Sequence, residues 1–214
     1  MEESQMSQNN KIIVCATDAS LDCIDRYYAR AGIATIINQV MFSGDISMFR
    51  PLYYEGRPVT DPNVKGIQLL EIMALRFGME QISSMGIEDD AQVIYLTDSA
   101  TALFSLQYGV RQKAINFNLI LEEIEKIRNI SSTNKFNEKI CKITSHQSVD
   151  DWEDATSDFN RMNQTNYPDS LVTLFRHMNE DCDRLAKAAR KCSTNSSYYA
   201  MERSKVKNGK MKEG

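Results

Sequence analysis

The segment Lys11–Ser20 reads KIIVCATDAS. Its apolar run, Ile12-Ile13-Val14-Cys15-Ala16, is short and β-branched, the pattern of a buried strand. The run delivers one acid, Asp18, between Thr17 and two small residues, Ala19 and Ser20. A carboxylate fixed at the end of such a strand is partly stripped of water, which is costly unless positive charge lies against it. A divalent cation is one such partner. The reading of the remaining chain turns on whether other acids reach the same place.

Ala31–Phe42, AGIATIINQVMF, predicts a second strand. Asp45–Tyr54, DISMFRPLYY, predicts a third, which Pro51 places at an edge or an irregularity, and Gly56-Arg57-Pro58 is expected to end it. Asp61-Pro62-Asn63 has helix-starting chemistry, and apolar residues then recur at helical spacing between Lys65 and Met85 (Leu69, Ile72, Met73, Leu75, Met79, Ile82). Glu71 lies early in this helix; Gly78 is expected to weaken it and Gly86 to end it. Ala91–Leu96, AQVIYL, is a fourth strand, and it delivers a second acid, Asp98, in TDSATALFSL. A short helix to Leu106 follows, then a longer one over about Ala114 to Ile130. Ile115, Leu119, Ile120, Ile124 and Ile127 form its apolar side, with Glu122, Glu123, Glu125, Lys126 and Arg128 largely opposite. Phe136–Thr144, FNEKICKIT, alternates as a fifth strand and leads to Ser145-His146. Three early strands form a meander, and strands joined through helices lie parallel by right-handed crossovers. The expected class is therefore α/β: a mixed five-stranded sheet, three antiparallel then parallel strands, flanked by helices.

A chain of 214 residues suffices for one well-cored domain, and 42% apolar with 25% charged residues is ordinary for a soluble globular protein. No run approaches the ~18 apolar residues of a membrane span, so no membrane partner is expected. Residues 1–10, MEESQMSQNN, read as a disordered N-terminus and not a signal peptide. The five cysteines (Cys15, Cys23, Cys141, Cys182, Cys192) form no CxxC pair, which argues against a zinc site and a disulfide framework. A reducing compartment, cytoplasm or nucleus, follows. From Ser193 onward five Lys/Arg stand against two Glu, so 193–214 reads as a basic flexible tail behind a domain spanning 11–192. The body is acidic, which argues against a nucleic-acid binder working by charge alone. It leaves room for an enzyme whose metal ions carry the positive charge.

Asp18, Glu71, Asp98 and His146 thus stand in order at element ends, and far downstream comes Asn179–Ala188, NEDCDRLAKA. This set resembles the ribonuclease H family, type 1. Its signature runs TDGS or TDAS, a helical AExxAL, a strand-final TDS, a histidine loop and NExADxLAK. The matching acids are Asp18, Glu71, Asp98 and Asp183, with His146 as the loop histidine, over about Lys11 to Lys191. TDxS alone occurs often by chance; five motifs in order are far more specific. Ala19, where cellular enzymes commonly have Gly, makes the chain more like a retroelement-encoded domain. One departure is the long stretch between His146 and Asp183. It is either a helical insertion at about 147–178, with Trp152 and a stripe of Leu171, Val172, Leu174 and Phe175, or a sign that the fourth acid is Asp154 or Asp158. The several matches within NEDCDRLAKA favour Asp183.

The resemblance implies a metal-dependent endoribonuclease that hydrolyses the RNA strand of RNA–DNA hybrids with two Mg²⁺ ions, Mn²⁺ being compatible. It implies that Asp18 bridges both metals, that Glu71 and Asp98 hold the first and Asp183 the second, and that His146 shuttles protons or helps product leave. Ser20, Gln68 and Ser99 are the candidate substrate contacts: Gln68 toward a 2′-OH, Ser99 toward a DNA-strand phosphate or as a helix-start hydroxyl. Between Leu106 and Ala114 only Arg111 and Lys113 are cationic, so the basic handle of some cellular enzymes looks absent. The expected partner besides the hybrid is a reverse transcriptase in the same polyprotein. Two rivals stay open: an inactive module of the same fold serving as a structural or partner-binding domain, and an integrase-like DNA-cutting enzyme. The early helical position of Glu71 speaks against the second. For each acid taken singly, a solvated strand end or a helix cap is the competing role, most seriously for Asp98 before SATAL.

Overall fold

The computed structural model describes residues 11–25, 28–43, 46–61, 63–64, 66–144 and 154–193. Its elements run β1 (Ile12–Asp25), β2 (Tyr28–Ser43), β3 (Ile46–Val59), α1 (Ile67–Ser84), β4 (Gln92–Thr97), α2 (Ala100–Tyr108), α3 (Phe117–Thr133), β5 (Asn137–Lys142), α4 (Ala155–Asn163) and α5 (Asp169–Cys192). The sheet order is β3-β2-β1-β4-β5. β1–β2 and β2–β3 are antiparallel, and β1–β4 and β4–β5 are parallel. This is the mixed five-stranded sheet that the sequence predicts.

Alternation along β1 divides the core into two layers. Ile12, Val14 and Ala16 face Leu171, Val172, Phe175, Cys182 and Ala186 of α5. Ile13 and Cys15 face Leu69, Ile72 and Leu75 of α1 and Ile120 and Ile124 of α3. Helices therefore cover both faces, and β1 lies between them.

Several sequence expectations need correction. The first strand does not end at Asp18; it continues to Asp25, because β2 offers partners along its whole length. The third strand does not stop at Gly56-Arg57-Pro58 but runs on to Val59. Pro58 is tolerated there because β3 is an edge strand. Pro51 does sit beside a register shift, opposite Ile37 and Asn38. Gly78, expected to weaken α1, is what lets the helix sit down on the sheet: a Cβ there would lie 2.7 Å from Cys15 Sγ and 2.8 Å from Thr17 Cγ2. Gly32 does the same for α5, whose Ala186 carbonyl oxygen would be 2.6 Å from an added Cβ. Ile115 is exposed and not on the apolar side of α3, while Glu123, placed opposite, is buried.

The stretch about 147–178, expected as a helical elaboration, resolves differently where it is described. Residues 169–178 are the first half of α5, one continuous helix with NEDCDRLAKA. Leu171, Val172 and Phe175 belong to the main core. Phe159 of α4 and Tyr167 join them, with ring centroids 5.5 and 5.7 Å from Phe175. These residues seat α5 on the sheet. Trp152, His146, residues 1–10 and residues 194–214 lie outside the described residues.

Candidate metal centre

The parallel ladder between β1 and β4 ends at Ala16–Leu96, whereas β1 stays paired to β2 for the rest of its length. Beyond Ala16 the strand is bonded on one side only. Thr17, buried, donates from Oγ1 to the Leu96 carbonyl at 3.3 Å and ties the strands just past the last pair. Asp18 comes next. It is 4% exposed, and its Oδ1 accepts from the Ala19 N–H at 2.8 Å.

Asp98 follows the last residue of β4, beside this opening. Ser99, and not Asp98, caps α2: its Oγ accepts from the Ala102 N–H at 3.2 Å. The competing role of Asp98 is thus filled by its neighbour. Glu71 arrives from α1, which packs on the sheet face opposite α5. Asp18, Glu71 and Asp98 each bring a carboxylate oxygen within 4.8 Å of the others.

Among the described residues Lys187 is the cation that acts on Asp18, and it offsets the acids only in part. Burial, followed by the charge of Asp98, pushes the Asp18 carboxyl up to about 7, with the Ala19 N–H and Lys187 acting in the other direction. Burial, followed by the charges of Asp18 and Asp98, pushes Glu71 up to about 9. Glu71 Oε2 is buried with no hydrogen-bond partner among the described residues. A buried acceptor left this way costs about 1–3 kcal/mol, more if charged. All three donors are hard carboxylate oxygens, so the cluster fits a divalent cation of the Mg²⁺ or Mn²⁺ kind.

The other predicted residues are placed as follows. Asp183 lies on α5 and acts electrostatically on both Asp18 and Glu71. Its Oδ2 accepts from Lys187 Nζ at 2.6 Å, one helical turn on, and it stands outside the three-acid group. Asp158 is ion-paired to Arg161 on α4, and Asp154 is exposed at the start of that helix. Neither belongs to the cluster. Ser20 lies two residues past Asp18 on the same strand face and is buried. Gln68 sits one turn before Glu71, and its Nε2 donates to Ser105 Oγ at 2.8 Å. His146 is outside the described residues.

Three polar residues beside the site were not singled out by the sequence. Lys187 has a legible signal, the i,i+4 acid–lysine spacing with Asp183. Asn179, one turn before Asp183, is a buried amide whose Oδ1 lacks a partner among the described residues. Its signal was a polar residue inside an apolar helical stripe. Ser105 has none, because its partner Gln68 comes from another helix.

No protein-family model and no curated protein sequence matches the chain. Solved structures do match. A ribonuclease H1 from the halophilic archaeon Halobacterium salinarum is 13% identical with a TM-score of 0.52, covering 85% of this chain and 99% of that one. The ribonuclease H domain of prototype foamy virus is 16% identical with a TM-score of 0.53, covering 86% and 98%. The protease–reverse transcriptase of the same virus is 15% identical with a TM-score of 0.54, covering 85% of this chain and 21% of that one. The chain has the ribonuclease H fold.

Proposed function

We propose that this chain is a metal-dependent endoribonuclease that cuts the RNA strand of RNA–DNA hybrids, as the ribonuclease H domain of a reverse-transcribing element. The observation that carries the reading is the meeting of Asp18, Glu71 and Asp98 from three elements within 4.8 Å. The buried Glu71 Oε2, without a hydrogen-bond partner among the described residues, adds to it. Acids solvated or capping helices do not converge in this way.

In this reading Asp18, Glu71 and Asp98 would hold the first Mg²⁺ or Mn²⁺, and Asp18 and Asp183 would hold the second. Bound metal would supply an activated water and positive charge at the scissile phosphate and the leaving 3′ oxygen. The chain's own groups fix the geometry. Ala19 N–H orients Asp18 Oδ1. Thr17 holds β1 to the end of β4. Lys187 restrains Asp183 on α5. His146 serves proton transfer or product departure. Gln68 reads the RNA strand, while Ser20 and Ser99 lie along the hybrid.

Likeness to a viral protease–reverse transcriptase supports a place inside a polyprotein, with the remaining domains supplying affinity. The archaeal enzyme matches comparably, so the retroelement assignment rests more on the TDAS form and the missing basic handle. Cys15, Cys141, Cys182 and Cys192 are free, and the first three are buried, in keeping with a reducing compartment, cytoplasmic or nuclear. Among the described residues no helix is long and apolar enough to cross a membrane.

The test is cleavage of a labelled RNA–DNA hybrid with Mg²⁺, against EDTA and against Asp18→Asn. RNA-strand cutting lost in both controls is the expected result. A folded sample that cuts nothing with Mg²⁺ or Mn²⁺, alone or joined to its reverse transcriptase, would overturn the reading. That outcome favours the inactive module, for which the engagement of Asp183 by Lys187 is the motivating observation. Asp183→Asn and Asp158→Asn in the same assay assign the fourth acid; loss with the first and not the second is expected.

A further inference from the structure

Gln68 and Ser105 join the first turn of α1 to α2 beside the acid cluster. The Gln68 amide has an oxygen and a nitrogen of the same shape, so its partner's chemistry decides which way it points. Ser105 has one hydroxyl proton. That proton is given to the Thr101 carbonyl oxygen at 2.8 Å, and a carbonyl can only accept. Ser105 Oγ is therefore left as an acceptor for Gln68, and only the Nε2 face of the amide satisfies it. Ser105 is 2% exposed, so water does not compete at this contact. The consequence falls on the other end of the amide. With one Nε2 hydrogen committed to α2, the amide plane of the half-buried Gln68 is fixed, and Oε1 is held as an acceptor on the side away from Ser105.

We infer that Ser105 is a positioning residue that fixes which way the Gln68 amide points, so that Oε1 is held where it recognises a hydroxyl donor on the substrate strand. Resting on the ribonuclease reading above, that donor is a ribose 2′-OH, the group that separates RNA from DNA. An amide free to turn would offer N–H as readily as oxygen at that position and would discriminate less. Neither Ser105 nor Thr101 touches substrate in this scheme; both act through Gln68.

The test uses the full chain and a series of RNA–DNA hybrids, each with one 2′-deoxynucleotide at a different position of the RNA strand. Cleavage of each is compared with the all-ribose hybrid. Wild type is expected to show a loss of about fivefold to tenfold at one position near the cut, the worth of one hydrogen bond. Gln68→Ala removes that loss and so identifies the position. Ser105→Ala removes it too, to within about twofold, and leaves losses at other positions unchanged. Ser105→Cys, a near-isostere whose thiol is a poor acceptor, gives the same result without opening a cavity. A Ser105 variant that keeps the full loss at the Gln68 position overturns the inference while the nuclease stands, as does a Gln68→Ala profile identical to wild type. Wild type that cuts no hybrid, alone or joined to its reverse transcriptase, overturns the nuclease reading itself and this inference with it.

Discussion

Glu71 and Glu123 are both helical and buried to nearly the same degree, 5% and 8% exposed, yet their surroundings are opposite. Glu123 on α3 accepts from Arg76 of α1 and from Lys126 on its own helix. Its charge is matched within the chain, and it ties two helices together. Glu71 faces Asp18 and Asp98, carries an oxygen with no partner among the described residues and is pushed up to about 9. The difference separates two uses of a buried acid. One is completed by the protein. The other is left open at a cost in stability, which suits a group that something outside the chain completes.

Mutation should pull the two uses apart, most sharply in activity. Asp18→Asn is expected to lower RNA cleavage by at least roughly 10³-fold, whereas Glu123→Gln leaves turnover within about twofold. Equal losses in a single-turnover assay would break the distinction. In denaturant titrations the order reverses: Glu123→Gln should cost about 1–2 kcal/mol, because it removes the buried one of Arg76's two carboxylate partners and leaves it Glu80. Gly78→Ala should cost about 2 kcal/mol through its clash with Cys15 and Thr17, against a helix-propensity gain of about 1 kcal/mol. A stabilised Gly78→Ala protein would mean that α1 does not sit as close to β1 as described.

The open cluster carries its own pH signature. With Asp18 raised to about 7 and Glu71 to about 9, the metal-free folded protein holds protons that the unfolded chain releases above about pH 4. Their contribution to stability is complete below that point and is lost as pH climbs through 7 to 9. Thermal melting in EDTA should therefore show Tm falling from pH 5 to pH 9. Glu71→Gln should flatten that slope and gain about 1–2 kcal/mol at pH 8. Millimolar Mg²⁺ should raise Tm more at pH 8 than at pH 5 in wild type, since binding needs the deprotonated acids. A slope unchanged by Glu71→Gln would place the titration elsewhere. The smallest effect belongs to Ser99→Ala, about 1 kcal/mol for the lost cap of α2; a larger loss in cleavage than in stability would give Ser99 a substrate contact as well.

The order of the acids was legible because each follows or joins a strongly patterned element, and alternation or helical spacing needs only local residues. Whatever depended on a distant partner was not. Asp18 read as a strand end because the apolar run stops there; pairing with β2, invisible in one strand's pattern, carries β1 on to Asp25. Gly78 read as a helix defect because its reason lies in Cys15 and Thr17, some sixty residues earlier. Glu123 read as solvated because its guanidinium partner is on another helix. Leu171, Val172 and Phe175 read as an elaboration because distance from His146 hid their continuity with NEDCDRLAKA and their seat against β1. The fourth acid stayed open for the same reason.

The seat of α5 also has a consequence for how the protein is made. A ribosome delivers β1 first and α5 last among the described elements. Until Leu171 to Ala189 have emerged, one whole face of the sheet behind Asp18 lacks its cover. A nascent chain can thread its meander and dock α1 early, yet Asp183 cannot approach Asp18 before the last helix closes. Synthesis itself thus keeps this chain's candidate chemistry silent until α5 has been translated.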